Sequence, residues 1–374
     1  MRAGVFIACI QLSIVLCCCV PIGAIELPRA GRDCNQAAEA ERVIFADVRD
    51  GGAQRALLSA HRGGKWLAPE NTMWAYRHAF AYDMDFVEID VRETLDGVFV
   101  SMHDSTVDRT TNGSGKISQL TWAQIEPLNA TDYAPWKGSE YDPSTVPRLE
   151  EILELARDSG KGIEFDVKSV SNYRRFFDLV AEYGLLDRSY FNLKGKAARA
   201  ARTYNPEIRV IFNVEGGESA SALYEETYHA AVYGSHRDRF TPQKIAAIHE
   251  SCALVLPHSY DRGRQAEGDE FRRARSEGAD GAQVNQPDVI ADVAERHVAA
   301  ELIYRADARQ ACLLNTANKI GIPRQVLFVF HVDGLPEINV TDREGCVALP
   351  FESGGHWVLH FGTSAVQQAT LEVP

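Results

Sequence analysis

The sequence predicts an α/β fold, a TIM (β/α)8 barrel with a small insertion after its second strand, followed by a C-terminal all-β sandwich domain. Eight short apolar segments alternate with helical stretches between about residues 57 and 288. This interval has the length of a (β/α)8 barrel, which typically needs ~250 residues. After about residue 297 the chain changes to short strands separated by glycine-containing turns, a pattern typical of a small sandwich.

The first 24 residues have the layout of an export signal. Arg2 gives a short positive start, residues 5–20 are almost wholly apolar, and PIGA at residues 21–24 fits a cleavage site. An uncleaved membrane anchor is the alternative, but Gln11 and Ser13 interrupt the apolar run. We predict a signal peptide at residues 1–24, a lead segment at residues 25–56 and a secreted or periplasmic protein. Association with a membrane or surface, through the N-terminus or the β domain, stays open.

The barrel is predicted to span residues 57–297. Its eight candidate strands are LLSAH, FVEIDV, GIEFDV, SYFNL, IRVIFNV, HAAVYG, CALVLPH and DGAQV. Helices are predicted over residues 72–81 and 149–157, the second ended by Gly160. The interval from residue 101 to 147 is too long for a plain β/α step and has a capping box at Thr121 and Gln124. We interpret about residues 104–146 as an insertion over the barrel mouth.

Residues 298–374 are predicted to form the sandwich. Seven strand candidates are separated by turn signals such as DG, REG and ESGG. They are VAAELIY, ACLLN, QVLFVFHV, PEINV, GCVALP, HWVLHF and ATLEV. The domain could serve as a binding or spacer unit, or as a stabilising appendage packed on the barrel.

The cysteine pattern follows from the predicted export. Four of the eight cysteines lie in the signal, which leaves Cys34, Cys252, Cys312 and Cys346. An even number of cysteines in an oxidising compartment permits disulfides. We predict a bridge between Cys312 and Cys346, with four buried free thiols as the alternative.

The formal net charge of the chain is −13. Affinity for nucleic acid is built from Lys and Arg side chains that neutralise phosphates, so this charge argues against a nucleic-acid partner. It leaves room for a small anionic substrate in a local basic pocket.

Two neighbouring strands carry carboxylates on one face. Glu88 and Asp90 alternate with apolar residues in FVEIDV, and Glu164 and Asp166 do so in GIEFDV. In a barrel this polar face is the interior, where charges cost several kcal/mol unless they are paired or bound to metal. The all-oxygen donor set favours one divalent cation, Ca²⁺ or Mg²⁺, over zinc.

Two histidines follow the first two strands. His61 ends LLSAH and His103 comes shortly after FVEIDV, so both are expected at neighbouring strand ends. Two imidazoles that flank a phosphate can act as general base and general acid near neutral pH. Arg62 and Lys168 are suited to hold phosphoryl oxygens, Arg62 by its planar fork and Lys168 as a point charge.

These motifs together resemble the glycerophosphodiester phosphodiesterase family, among the PI-PLC-like TIM barrel phosphodiesterases. The resemblance rests on HRGG…PENT, E-x-D, DG-x-x-V-x-x-HD, DRTT-x-G-x-G and GADGAQVNQPD, and it spans about residues 57–294. It implies metal-dependent hydrolysis of small-molecule glycerophosphodiesters to glycerol 3-phosphate and an alcohol. In the C-terminal region, TDREGCVALPFESGGHWVLHF looks like a bacterial immunoglobulin-like module.

The resemblance also implies roles for individual residues. The acid–base pair would be His61 and His103, and Arg62 would bind phosphate. The metal ligands would be Glu88, Asp90 and a carboxylate of the third strand, Asp166 with Glu164 as the alternative. Glu70 and Asn71 of PENT would support the HRG turn. His258, in LVLPHSYD, could line the mouth or be a loop histidine, and we favour the second interpretation.

Two other functions stay open. A lysophospholipase D or sphingomyelinase D-like enzyme would use the same site on a lipid, and Trp122 and Trp136 of the insertion could form its apolar rim. A secreted non-catalytic binding protein would attach to a surface through the β domain. Neither the alcohol part of the substrate nor the assignment of acid and base to the two histidines follows from the sequence.

Overall fold

In a computed structural model of the chain, the described residues are 55–193, 196–205, 208–214, 232–250, 253–258, 264–294, 300–305, 308–331, 337–349, 357–361 and 369–373. The predicted signal peptide and nearly all of the lead segment lie outside these ranges, as do Cys34 and Cys252. None of the helices in the described ranges is long and apolar enough to cross a membrane.

The predicted barrel is confirmed. Eight parallel strands follow the order β1-β9-β8-β7-β6-β5-β4-β2, and pairing between β1 and β2 closes the ring. The strands are β1 Leu57–Ala60, β2 Phe86–Glu93, β4 Gly162–Ser169, β5 Ser189–Asn192, β6 Arg209–Asn213, β7 Val232–His236, β8 Leu254–His258 and β9 Gly281–Val284. Because all eight run in the same direction, their carboxyl ends meet at one mouth.

The sequence did not predict strand β3, Phe99–Ser101, which pairs antiparallel with the end of β2. The two strands are joined by a turn in which Gly97 has a φ of 85°, a conformation that favours glycine. This hairpin lengthens the wall of the barrel mouth next to the loop that carries His103.

Eight α-helices of the described residues lie between or after the barrel strands. They are α1 Met73–Ala81, α2 Trp122–Ile125, α3 Leu149–Asp158, α4 Tyr173–Glu182, α5 Lys196–Tyr204, α6 Pro242–His249, α7 Arg264–Ser276 and α8 Pro287–Val293. Thr72 caps α1 by accepting a hydrogen bond from the amide of Ala75 at 3.3 Å. Gly160 follows α3 with a φ of 66°, as expected for a C-terminal glycine.

The insertion has a small apolar core of its own beside β3. The predicted capping box at Thr121 and Gln124 is present at the start of α2. The buried side chains of this core are Val100, Met102, Val107, Ile117, Ile125, Ala130 and Val146, with Trp122 packed against them. The insertion therefore packs as a small unit beside β3, and its position over the barrel mouth stays a prediction.

All seven predicted C-terminal strands are present, in two antiparallel sheets. One sheet has the order β10-β11-β14 and the other β13-β12-β15-β16. Their bounds are β10 Ala300–Arg305, β11 Gln310–Asn315, β12 Val326–His331, β13 Glu337–Val340, β14 Cys346–Ala348, β15 Trp357–Phe361 and β16 Ala369–Val373. Cys312 and Cys346 are register partners and form the predicted disulfide. We call residues 300–373 the C-terminal module; its relation to immunoglobulin-like domains stays a prediction.

The C-terminal module packs on the end of helix α1. The hydroxyl of Tyr82 donates to the carbonyl of Pro323 at 2.5 Å and accepts from Gln325 at 2.6 Å. Side-chain amides of Asn315 and Asn318 donate to the last carbonyls of the helix, at 3.2 and 3.0 Å. These are the carbonyls that a helix end leaves without an internal partner. The contacts favour a stabilising appendage over a free spacer.

Candidate active site

The HRGG motif forms a tight turn directly after β1. Arg62 has a φ of 50°, a strained conformation for a residue other than glycine. A Cβ atom on Gly63 would lie 2.6 Å from the Cβ of Ala75, and one on Gly64 would lie 2.5 Å from the Cδ of Pro287. The two glycines therefore let the turn sit against α1 and α8, which fixes the position of His61 at the mouth.

His61 is buried, and its Nδ1 lies 2.9 Å from the side-chain oxygen of Asn285. Because that oxygen accepts hydrogen bonds, the contact places the proton on Nδ1 and leaves Nε2 as the basic nitrogen. Burial, and after it the charge of Arg62, holds the pKa of His61 well below its ordinary value of 6.5. His61 is therefore a neutral imidazole at physiological pH.

Three of the predicted carboxylates meet beside His61. Ligand atoms of Glu88, Asp90 and Asp166 all lie within 4.8 Å of one another. Burial, and after it the charge of Asp90, raises the pKa of Glu88 well above its ordinary value. Burial also raises the pKa of Asp166, although Lys168 opposes that shift. A cation would relieve this repulsion, and three oxygen donors suit Mg²⁺ or Ca²⁺.

Glu164, the alternative third ligand, is engaged elsewhere. Its carboxylate accepts from the hydroxyl of Ser59 at 2.5 Å and from the amide of Gln283 at 2.7 Å. Both partners belong to strands that face Glu164 across the barrel interior. The two carboxylates of β4 therefore have different surroundings. Asp166 lies in the cluster with Glu88 and Asp90, whereas Glu164 is hydrogen-bonded to Ser59 and Gln283.

Arg62 and Lys168 bring positive charge to the carboxylates. The Nζ of Lys168 lies 2.5 Å from Asp166 and 3.2 Å from Asp90. Burial alone would lower the pKa of Lys168, but these two carboxylates raise it, so the ammonium group stays charged. The guanidinium of Arg62 pairs with Glu70 at 2.9 Å. Both cations line the same pocket as the histidines.

Glu70 and Asn71 contact the groups that the sequence led us to expect them to support. Asn71 donates to the carboxylate of Asp90 at 2.8 Å, and its backbone amide donates to the carbonyl of Arg62 at 3.0 Å. The amide of Arg62 in turn donates to Glu88 at 2.7 Å. The PEN segment therefore fixes both the HRG turn and one carboxylate of the cluster.

His103 lies on the other side of the pocket, in a loop that Arg92 holds. The guanidinium of Arg92 donates to the carbonyl of His103 at 2.5 Å. The Nδ1 of the imidazole lies 2.7 Å from the carboxylate of Asp104. Burial works against charge on Asp104, but hydrogen bonds from Arg109 and His103 lower its pKa to about 2.

Arg109 connects the two sides of the site. Its guanidinium donates to Asp104 at 2.6 Å and to Glu70 at 2.6 Å. Asp104 contacts His103 and Glu70 contacts Arg62, so Arg109 links the two residues that position these side chains. Such a network restricts the rotamers of its members.

The pocket between these groups has a volume of about 470 Å³. Beyond the residues above, it is lined by Lys65, Tyr190, Asn192, Asn213, Gln283 and His258, among others. The interpretation of His258 as a loop histidine was wrong, because it is the last residue of β8 and faces the pocket. Burial, and after it His236, lowers the pKa of His258 to about 3, so this ring is neutral.

Sequence reasoning did not single out several residues that the site uses. Asn285 is the clearest case, since it directly follows β9 and β9 pairs in register with β1. A residue just after β9 must therefore face the residue just after β1, which is His61. Because β9 pairs with β1 when the barrel closes, the sequence could have predicted that Asn285 lies beside His61. Arg109 and Lys65 are loop cations whose contacts depend on the tertiary fold.

Comparisons with known proteins agree with this geometry. Residues 61–289 match the glycerophosphoryl diester phosphodiesterase family. A glycerophosphodiester phosphodiesterase from Caldanaerobacter subterraneus subsp. tengcongensis is 27% identical over 264 residues, which cover 65% of this chain and 99% of that protein. Glycerophosphodiester phosphodiesterase 1 of Mus musculus is 43% identical over 114 residues, 30% of this chain and only 34% of the mouse protein.

Solved structures are similar over the barrel. A glycerophosphodiester phosphodiesterase from Agrobacterium tumefaciens aligns with a TM-score of 0.56 and 25% identity, covering 63% of this chain and 98% of that one. A phosphodiesterase from Oleispira antarctica, solved with the product sn-glycerol-3-phosphate, aligns with a TM-score of 0.56 and 26% identity over 63% of this chain and 96% of that one. With the family match over most of the barrel, these similarities show that the chain belongs to the glycerophosphoryl diester phosphodiesterase family of phosphoric diester hydrolases.

Proposed function

We propose that this protein hydrolyses glycerophosphodiesters to sn-glycerol 3-phosphate and an alcohol, using one divalent cation and two histidines, in a secreted or periplasmic setting. The observation that carries the proposal is the meeting of His61, His103 and the three-carboxylate cluster in one pocket at the strand ends. The product complex of the Oleispira antarctica relative supports glycerol 3-phosphate as the product.

The cation would be held by Glu88, Asp90 and Asp166, whose oxygen donors fit Ca²⁺ or Mg²⁺. When bound, it would neutralise negative charge on the phosphoryl group. Arg62 and Lys168 line the same pocket and would orient the phosphoryl oxygens. Asn71 holds the carboxylate of Asp90, so the cluster keeps its shape without help from the substrate.

We propose different roles for the two histidines. His61 is buried beside Arg62, which favours the neutral form that accepts a proton from the nucleophile. With His61 as the base, His103, whose Nδ1 is held by Asp104, takes the role of the acid that donates a proton to the leaving alcohol. A bond forms between phosphorus and the nucleophile's oxygen, and the bond from phosphorus to the alcohol oxygen breaks. The histidines return to their starting states by exchange with solvent.

The nucleophile can be water or the neighbouring hydroxyl of the glycerol itself, which would give a cyclic phosphate first. The two routes differ in the intermediate that accumulates. Phosphorus NMR of an ongoing reaction separates them, since only the second route shows a five-membered cyclic phosphate before glycerol 3-phosphate.

A lipid substrate has less support from the described residues. The strongly exposed large apolar side chains among them are Leu95 and Val340, and neither lines the pocket. Trp122 packs into the core of the insertion, and Trp136 is 7% exposed. Neither tryptophan forms an open apolar rim, which favours a water-soluble diester over a lysolipid.

The test is release of glycerol 3-phosphate from glycerophosphocholine by the purified protein with added Ca²⁺ or Mg²⁺. Replacing either His61 or His103 by Ala should lower turnover by roughly 10² or more, because general acid–base catalysis contributes that much. His249→Ala, outside the pocket, is the matched control and should keep the wild-type rate. Near-normal turnover in both pocket variants would overturn the assignment.

A further inference from the structure

A second cavity lies beside the catalytic pocket. Its volume is about 500 Å³, within the range of small-molecule sites. Three separate parts of the chain build it: the loop after the HRGG turn, the insertion and the C-terminal module. Lys65 lines both cavities, so the two spaces are neighbours across this side chain.

Arg324 is the contribution of the C-terminal module to this cavity. Its φ of 56° is unusual for a residue with a side chain, and a strained backbone persists only where its surroundings fix it. Here they do, since its neighbours Pro323 and Gln325 both bond to Tyr82 of the barrel, and its own amide donates to the carbonyl of Thr341 at 2.9 Å. The module is therefore attached to the barrel at the residues that flank this arginine.

The charge of the cavity is positive. Lys65 and Arg324 are its cations, and Glu140 is its acid. Glu140 is already engaged by Arg343, whose backbone amide donates to its carboxylate at 2.8 Å and whose guanidinium donates to its carbonyl. The remaining walls are largely aromatic, from Trp66, Trp136 and Tyr141.

We propose that this cavity binds the leaving alcohol of an extended glycerophosphodiester whose alcohol is a polyol carrying a second phosphate. This inference rests on the proposed function, because it places the scissile phosphate in the neighbouring pocket. The two cations suit a phosphate, a group that an alcohol such as choline or glycerol lacks. The aromatic walls suit the carbon chain of a polyol. The C-terminal module thereby completes a substrate site.

Two substrates that differ by one glycerophosphate unit, which carries the second phosphate, give the test. Glycerophosphoglycerol releases glycerol as its alcohol, whereas bis(glycerophospho)glycerol releases glycerophosphoglycerol, which retains a phosphodiester. Initial rates of glycerol 3-phosphate release give kcat/KM for each. The wild-type protein should prefer the larger substrate by about tenfold, the size expected for hydrogen bonds to a charged group.

Variants test whether Arg324 causes the preference for the larger substrate. Arg324→Gln should remove it by lowering kcat/KM for the larger substrate alone, and Arg324→Lys should restore part of it. Arg309→Gln, another positive-φ arginine of the module that does not line the cavity, is the matched control and should keep it. A general loss of structure would lower both rates equally and would count against the inference.

The outcomes separate this inference from the proposed function. Hydrolysis of both substrates with equal kcat/KM, unaffected by Arg324→Gln, would overturn the second site and leave the proposed function intact. No hydrolysis of either substrate under any divalent ion would overturn the proposed function itself.

Discussion

At the scale of single residues, the two imidazoles of the site differ in the partner that each Nδ1 atom contacts. His61 faces the neutral side chain of Asn285, and His103 faces the carboxylate of Asp104. The lowered pKa of His61 supports its proposed role as the base, which leaves the role of the acid in the proposed mechanism to His103.

The pH profile should report the state of His61. Because its pKa is lowered well below 6.5 and the base must be neutral, kcat/KM should fall only at a pH below 6.5 on the acidic side. Asn285→Asp places a carboxylate at the Nδ1 of His61 and should raise this apparent pKa by ~1 unit or more. The acidic limb then moves to higher pH. An unchanged limb in the variant would contradict the role of His61 as base.

The sequence predicted most of the side chains that line this candidate site, but only some of their partners. Glu88, Asp90 and the two histidines follow from strand periodicity and from the rule that barrel chemistry lies at the strand ends. The contact between His61 and Asn285 joins residues 224 positions apart. Such a contact depends on the closure of the barrel, which no local pattern encodes.

At the scale of elements, strand β4 carries two inward carboxylates with different surroundings. Glu164 and Asp166 are two residues apart and face the same side. The sequence could therefore predict that both point inward, but not which one reaches the cluster. The answer depends on Ser59 and Gln283, which β1 and β9 bring to Glu164.

Replacing each carboxylate of β4 by its amide should separate their roles. Asp166→Asn removes one of three ligands and should weaken the affinity for Ca²⁺ or Mg²⁺ by about 10-fold or more, while Glu164→Gln should change it by much less. Isothermal titration of the purified variants gives both values without an activity measurement. The reverse order would make Glu164 the ligand.

Other elements show where local patterns fail. Strand β3 has three residues, too few for a period to be visible, and it is held by pairing with β2. At HAAVYG the described strand runs over Val232–His236, two residues past the predicted end, and the start of that segment lies outside the described residues.

At the scale of the whole molecule, the barrel and the C-terminal module share one hydrophobic core. Tyr82 of the barrel belongs to the same cluster of buried side chains as Leu302, Leu313, Ile322 and Leu327 of the module. The sequence predicted the strands of the module, since each is a local pattern. Its docking was not predictable, because the contact of Tyr82 with Pro323 joins surfaces 241 residues apart.

Tyr82→Phe tests how much the contact between the barrel and the C-terminal module contributes to stability. The change removes only the hydroxyl, which leaves the carbonyl of Pro323 and the amide of Gln325 without this partner, at a cost of ~1–3 kcal/mol. The melting temperature should therefore fall by a few degrees in calorimetry. Tyr183→Phe, on the half-buried residue that ends α4, is the matched control and should melt as the wild type does. Equal melting temperatures for all three proteins would show that the hydrogen bonds of the Tyr82 hydroxyl contribute nothing to stability.

The central claim is that a cation held by Glu88, Asp90 and Asp166 is required for diester hydrolysis. The most direct measurement is release of glycerol 3-phosphate from glycerophosphocholine after treatment with EDTA, and again after Ca²⁺ or Mg²⁺ is restored. We expect activity to disappear with EDTA and to return with one of the two ions. Full activity after complete removal of divalent ions would contradict the account.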